Sequence, residues 1–395
     1  MVRTGSLFSQ LLELFPRSEF MQVVARHRGE RYAKGFTCWH QLVAMLFAHL
    51  AQAHSLREVC GGLSGCLGKL VHLGIREAPK RSTLAYANAH RPWEVYQDLF
   101  YALLWKVRGV SDGRGHKLRF RHRLLSLDSS VIELCLSLFP WADFNRKKGG
   151  VKLHCLLDHA DYLPVFALVT LAKQVDLAVA RLLTLPRGSI VVLDKAYRDF
   201  ALWGRWCREG VLFVTRLPKR TVYRVLERRP VPPHRHILAD EIIELASAHA
   251  RKQGCTQRLR RVAVWLPEKE EVLELISNHL SFGASTIAAI YKERWQIELF
   301  FKALKQNLRI KTFLGTSPNA LFTQIWTALL AMLLLKWLQF QSRFGWSLSN
   351  LAALLRWNLM IYRDLMEWLN EPFQLPSLKP PAVQYSLFAF GQHLA

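Results

Sequence analysis

Along the first 80 residues, apolar positions recur every three or four places. Phe8, Leu11, Leu12 and Phe15 make one stripe, and Leu42, Met45, Leu46 and Leu50 a second. That spacing predicts short amphipathic helices, each with one face turned to a core. His40 and His49 lie near the second stripe and read as structural residues rather than ligands. The run GGLSG at 61–65 predicts a break, and PKRS at 79–82 a domain boundary. A further helical stretch follows, through Trp105.

From about residue 121 the period shortens. LLSLDS at 124–129, VKLHCLL at 151–157 and LPVFALV at 163–169 read as three strands, and Lys152 and His154 fall on alternate positions of the second. A helical stretch begins near Asp176. SIVVLD at 189–194 reads as a buried strand ending in a carboxylate, a helix follows over 199–209, and VLFVT at 211–215 is another strand. This succession predicts an α/β fold, a mixed sheet with flanking helices. Over 220–280 the pattern turns to β again, with strands around Tyr223 and Val225, at 258–266 and at 271–276, the last two joined by a turn at 267–270. Long helical patterns resume at 285–308, 320–340 and 347–369. The chain after Pro372 is proline-spaced and reads as a loosely attached tail, and no internal repeat is apparent.

A chain of 395 residues suggests roughly two to three domains at about 150 residues each. The 51% hydrophobic and 21% charged residues exclude a disordered chain. Charge changes the picture more. Fifty-four Lys and Arg against 30 Asp and Glu leave +24, with a sequence pI near 10.1. Such a surplus points to a polyanion, either nucleic acid or an acidic membrane surface, and away from a small-molecule enzyme. Segment 220–280 is strongly basic, with Arg224, Arg228, Arg229, Arg251, Lys252, Arg258, Arg260 and Arg261. Arg114, Lys117, Arg119, Arg121 and Arg123 precede the first strand region, and Arg146, Lys147, Lys148 and Lys152 follow it. Both groups would flank the path of such a polyanion, and a nucleic acid there would bind more weakly as salt rises.

No run reaches the 18 apolar residues that a membrane span needs; the closest, 325–335 ended by Lys336, reads as a buried core helix. Glu13 inside the apolar part of the N-terminus argues against a signal peptide. Seven thinly spread cysteines make no disulfide framework, which suits a reducing, cytoplasmic setting.

Three places carry candidate chemistry. Asp128 and Asp194 each end an apolar run. A carboxylate there is costly unless it binds a cation or is well hydrogen-bonded. Two such strands side by side would set two oxygen ligands at one sheet edge, as Mg²⁺ prefers. Taken singly, a strand-end Asp is more often a cap or turn residue, and Asp158, Asp161 and Asp176 read that way. The third place is 291–305, YKERWQIELFFKALK. Offsets of 3, 7 and 14 residues put Tyr291, Arg294, Glu298 and Lys305 on one helix face. Ile290, Ile297, Phe301, Leu304 and Leu308 form an apolar stripe beside it. Periodicity alone leaves open a solvated helix with ordinary ion pairs.

That stripe resembles the Y-x2-R-x3-E-x6-K signature of a large group of bacterial insertion-sequence transposases, those with a DDE triad on an RNase H-like fold. SLDSS at 126–130 resembles the group's first-Asp motif, VLDKAY at 192–197 its second, and FVTR at 213–216 the block that follows. The resemblance implies an RNase H-like catalytic core in two parts, 121–219 and 281–345, interrupted by a β-rich insertion at 220–280. It further implies an all-α N-terminal DNA-binding domain at 1–80 and a helical linker at 81–120, with a C-terminal helical region and tail at 346–395. By the same resemblance, Asp128, Asp194 and Glu298 bind two Mg²⁺ ions, for which Mn²⁺ substitutes, and carry catalysis. Tyr291, Arg294 and Lys305 contact DNA near the cleaved phosphate; Arg216, Lys302, Lys148 and Lys152 complete the expected DNA contacts. The implied partners are double-stranded DNA, as terminal inverted repeats and as target, and a second copy of the chain in the end complex. The implied reaction is cut-and-paste transposition through a DNA hairpin.

Other readings fare worse. Ser129 and Ser130 lack the surrounding pattern of a serine recombinase, and Tyr291 lacks the Arg and His set of a tyrosine recombinase. His234 and His236 have no further metal ligand nearby in sequence, and no P-loop implies ATP. Trp265 reads as a strand residue. A membrane-surface protein would need a basic amphipathic helix with a large apolar face. A domesticated nuclease, or a non-catalytic DNA-binding regulator, stays as the alternative.

Overall fold

The computed structural model of the chain describes residues 5–374, apart from 32, 67, 112–117, 119, 146–147, 232–235 and 309–312. The N-terminal stripes fold as α1 (Leu7–Leu12), α2 (Arg17–Arg26), α3 (Cys38–Leu50) and α4 (Leu56–Ser64), followed by α5 (Arg81–His90) and α6 (Glu94–Gly109). Ser6, Thr37 and Ser55 cap α1, α3 and α4 by accepting from backbone N–H groups of the first turn. The expected break at 61–65 comes only at the end of that run, because α4 continues through Gly61 and Gly62 to Ser64, with Gly65 as its C-cap. A Cβ on Gly62 would come within 3.0 Å of the Phe47 ring on α3. Close packing of two helices, rather than a turn, is the use made of that glycine.

The sheet holds ten strands. They are β1 (Leu124–Leu134), β2 (Asp143–Asn145), β3 (Lys148–Asp158), β4 (Leu163–Leu171), β5 (Ile190–Leu193), β6 (Leu212–Arg216), β7 (Tyr223–Arg228), β8 (Ile237–Leu245), β9 (Leu259–Leu266) and β10 (Glu271–Ser277). Its centre runs β4-β3-β1-β5-β6: the first three are antiparallel neighbours, and β5 and β6 run parallel beside β1. This is the RNase H-like arrangement expected. β10 then pairs with β6, so the insertion extends the same sheet through β9 and β8 to β7. β8 escaped the sequence reading.

Helices α7 (Asp176–Leu182), α8 (Phe200–Glu209) and α9 (Ala248–Lys252) pack on one face, around Leu125, Leu127, Trp203 and Phe213. On the other face α10 (Ala284–Glu293) packs on Ile190 and Val192, while α11 (Trp295–Asn307) and α12 (Pro318–Gln341) pack on Ile132, Leu153 and Cys155. The helix expected over 285–308 is therefore two, and so is that over 347–369, which divides into α13 (Leu348–Asn358) and α14 (Leu365–Asn370). α12 is long and apolar enough to cross a membrane, yet 83% of its apolar window lies inside the protein, against α3, α5 and α6. It is a core helix, as the run ending at Lys336 suggested.

The core does not part at residue 80. One apolar cluster runs from Leu7 and Phe8 through α3 and α6 to α12, α13 and α14. The two ends of the described chain are also stitched together. Leu7 N–H donates to the Ile361 carbonyl at 3.1 Å, the Gln10 amide to the Arg363 carbonyl at 2.7 Å, and Leu365 N–H to the Gln10 side chain at 2.9 Å.

His49 lies at the centre of this helical layer. Its ring nitrogens meet Thr327 Oγ1 at 3.0 Å and the Leu308 carbonyl at 3.3 Å. Burial pulls its pKa down to about 4, so the folded protein keeps it neutral where an unfolded chain binds a proton. Its contribution to stability is intact above about pH 6.5 and is lost as pH falls towards 4, on the order of 3 kcal/mol in all. The urea midpoint should fall between pH 7.5 and pH 5, and less steeply in His49→Gln. An equal fall in both proteins would assign the loss to other groups.

Candidate active site

Side chains alternate along β1. Leu125 and Leu127 enter the core under α7 and α8, and Leu124 and Ile132 face the other way. Asp128 shares the parity of Leu124 and Ile132, so it faces the layer of α10 and α11. On parallel β5, Leu193 stands opposite Leu127. The next residues, Asp128 within β1 and Asp194 just past the end of β5, therefore stand side by side on adjacent strands. Asp194 begins a 3-10 turn, Lys195–Tyr197.

Glu298 lies in the first turn of α11. Arg294 stands at the junction with α10, its backbone still helical at φ −51° and ψ −30°. The two helices meet in a bend rather than a loop, which is why the polar stripe survives the break. The Arg294 guanidinium donates to Glu298 Oε1 at 2.6 Å and to Asp128 Oδ2 at 3.4 Å. Asp128 Oδ1 accepts from the Ser129 N–H at 2.8 Å. Burial pushes the Asp128 carboxyl up to about 6; the Ser129 N–H and Arg294 oppose that rise, and the charges of Asp194 and Glu298 add to it.

Among the described residues, no three His, Cys, Asp or Glu side chains are gathered tightly enough to hold a metal ion. A cation nevertheless spans two of the three carboxylates, and it is Arg294. The donor set is all oxygen and electrostatically strained, which suits a hard divalent ion once that guanidinium moves.

The cleft here has a volume of about 550 Å³ and is lined by Asp128, Ser129, Ser130, Glu298, Phe301, Lys302, Lys305 and Gln306. Lys305 donates to the Val131 carbonyl at 3.0 Å, beside Asp128. Tyr291 is buried; its hydroxyl accepts from Arg216 Nε at 2.9 Å, and Arg294 lies 5.8 Å from its ring. Gln306 was not singled out from the sequence, although it sits eight residues after Glu298 on the same helix.

Lys152 is placed elsewhere. β3 pairs His154 with Ser129 and Lys152 with Val131, so both side chains point to the α7 face, away from Asp128. The Lys152 ammonium is 3.0 Å from Asp176 Oδ1 and donates to the Gln174 carbonyl, which takes it off the expected DNA path. The Lys148 backbone lies in β3, but its side chain lies outside the description, as do Arg114, Lys117, Arg119, Arg146, Lys147 and His234. Arg121 is exposed, Arg123 is bound to Asp158 at 2.8 Å, and Trp265 is a half-buried residue of β9.

Ser126, His159 and Glu293 make a chain resembling a hydrolase triad, with Ser126 Oγ 2.7 Å from His159 Nε2 and His159 Nδ1 3.6 Å from Glu293. Both Ser126 and His159 are fully buried. No substrate reaches that serine; the chain is a cross-link from β1 to the end of α10.

A mixed sheet of this order, with aspartates side by side on two adjacent strands and a glutamate on a helix packed over them, is the arrangement of an RNase H-like polynucleotidyl transferase, and similarity to known proteins gives the same class. The transposase DDE domain family matches residues 119–334, and residues 3–76 match the domain of unknown function DUF4372. A putative transposase, y4zB, of Sinorhizobium fredii is 30% identical over 263 residues, 66% of this chain and 71% of that one. The probable transposase for insertion sequence element IS5377 of Geobacillus stearothermophilus is 26% identical over 269 residues, 66% and 68% of the two chains. A putative transposase for insertion sequence element IS4SA of Synechocystis is 32% identical over 111 residues, 28% and 31%. The chain belongs to the DDE transposases, of the insertion-sequence type.

Proposed function

We propose that this transposase binds the terminal inverted repeats of its own element, hydrolyses the 3′-end phosphodiester and transfers the freed 3′-hydroxyl to target DNA. The observation that carries the reading is the placement of Asp128 and Asp194 on adjacent central strands, with Glu298 joined to Asp128 through Arg294 and with Lys302 and Lys305 beside them. Asp128, Asp194 and Glu298 would hold two Mg²⁺, or Mn²⁺, which when bound lower the pKa of the attacking oxygen and take charge from the leaving one. Lys305, fixed by the Val131 carbonyl, and Lys302 present positive charge to the DNA backbone from α11. Arg294 exchanges its two carboxylates for a phosphate. Tyr291 is a buried post that holds Arg216 and backs Arg294. The spacing of Tyr291, Arg294, Glu298 and Lys305 supports the Y-R-E-K subgroup, and with it a hairpin intermediate and a paired-end dimer. The N-terminal helices are proposed to read the ends, and Lys148 to line the DNA path. Action on chromosomal DNA places the work in the cytoplasm.

The test is cleavage of duplex DNA from the flanks of the gene. In Mg²⁺ the protein should cut at the element boundary. In Ca²⁺ it should form the complex without cutting, since calcium's looser coordination suits binding better than an in-line displacement. Robust cutting in Ca²⁺ would overturn the two-ion mechanism. Binding without cutting in Mg²⁺ would favour a DNA-binding regulator, and cutting without strand transfer a nuclease.

A further inference from the structure

Directly behind Asp128, on the opposite face of the sheet, four strand and helix elements converge on a single carboxylate. Asp176, the first residue of α7, accepts from Ser129 Oγ at 2.7 Å through Oδ1. The Lys152 ammonium lies 3.0 Å from the same oxygen, and His154 Nδ1 3.5 Å from it. The His154 side chain is wholly buried, and its other nitrogen meets Thr170 Oγ1 of β4 at 2.9 Å. Tyr197, three residues beyond Asp194, is buried, and the turn that carries it packs on α7. β1, β3, β4 and α7 are thus joined at one point.

The connection to Asp128 is short. Ser129 Oγ is tied to Asp176, and the N–H of the same residue holds Asp128 Oδ1 at 2.8 Å. Fixing the side chain fixes the peptide plane, and the peptide plane aims the carboxylate. On the other side Tyr197 ends the turn that Asp194 begins. A group so committed, with a buried lysine of its own, has no need of a metal for charge balance.

We propose that Asp176 is a positioning residue of the transposase active site: through Ser129 it sets the placement of Asp128 beside Asp194, and so the affinity of the site for divalent ions. The inference rests on the proposed assignment of those aspartates as metal ligands. Outer-shell partners of metal ligands are typically worth about 10–100-fold in affinity, and the effect here should be about tenfold.

Binding of Mn²⁺ alone to the full-length protein, followed by electron paramagnetic resonance, tests it without reference to activity. Asp176→Asn and Ser129→Ala should each weaken Mn²⁺ binding about tenfold, and the double variant should be little worse than either, because they break one linkage. Mg²⁺-dependent cleavage should need correspondingly more metal, with a cutting rate at saturation reduced much less. Ser129→Ala covers the case in which Asp176→Asn fails to fold. Unchanged Mn²⁺ affinity in both variants, or fully additive losses, would overturn the proposal. Absence of Mn²⁺ binding by the unaltered protein would overturn the metal assignment beneath it instead.

Discussion

Glu298→Gln should leave DNA binding intact and lower end cleavage by ~10³-fold or more, the scale on which a member of a jointly acting set is lost. The substitution is nearly isosteric and removes one charge. Glu298 sits at the cleft rim, in the first turn of a helix whose apolar residues Ile297, Phe301 and Leu304 keep it seated, so folding should be little affected. Arg294 loses its 2.6 Å partner but keeps Asp128 within reach. A gel assay on end DNA, a binding titration and a melting curve together check the expectation. Asp128→Asn and Asp194→Asn should behave alike, and pairs of these changes should add little to one. Equal cutting by Glu298→Gln and the unaltered protein would mean that the third carboxylate is misplaced.

Asp240→Ala should destabilise the protein by roughly 3–5 kcal/mol, the usual result of leaving a buried charge without its partner. Arg260 on β9 meets Asp240 on β8 in a two-pronged pair at 2.7 and 2.6 Å. Both are almost fully buried, at 2% and 4% exposure. Arg260 also donates to the carbonyls of Leu280 and Phe282, at the approach to α10. The pair thus fastens the insertion to the helix that carries Tyr291. Urea unfolding of Asp240→Ala measures the loss, and replacing both residues by apolar ones of similar volume should recover much of it. A loss under about 1 kcal/mol would show that water reaches the stranded guanidinium.

The elements that hold the site were legible where the local pattern and the tertiary structure agree. The apolar runs of β1 and β5 announced both strands and their carboxylates, although β1 continues past Asp128 to Leu134. The stripe on α11 announced Glu298. What stayed hidden depends on a partner far along the chain. β8, ILADEIIEL, carries acidic residues that argue against a strand until Arg260 and Arg261 arrive from β9. The bend at Arg294 leaves the 3.6-residue period intact, so no pattern reports it. Gly62 looks like a break because its use is the Phe47 ring, which belongs to another helix. Lys152 looked like a DNA contact because the register of β3 on β1, which decides its face, is not written in either strand alone. Asp176 looked like a cap for the same reason.

The single apolar core shared by the two ends of the chain has a consequence for synthesis. α3 leaves the ribosome long before α12, its main packing partner, has been made. At ~5–20 residues per second the interval is roughly fifteen to fifty seconds. During that time Leu42, Met45, Leu46 and their neighbours have no finished surface to cover them. The catalytic sheet, nearly all of which lies between α3 and α12 in sequence, can pair in the meantime. The helical layer therefore closes last, around a sheet already formed, and the long-range contacts it needs make that closure slow. A nascent chain cut short before α12 would carry all the sheet strands and both aspartates, yet lack the helix against which its first hundred residues fold.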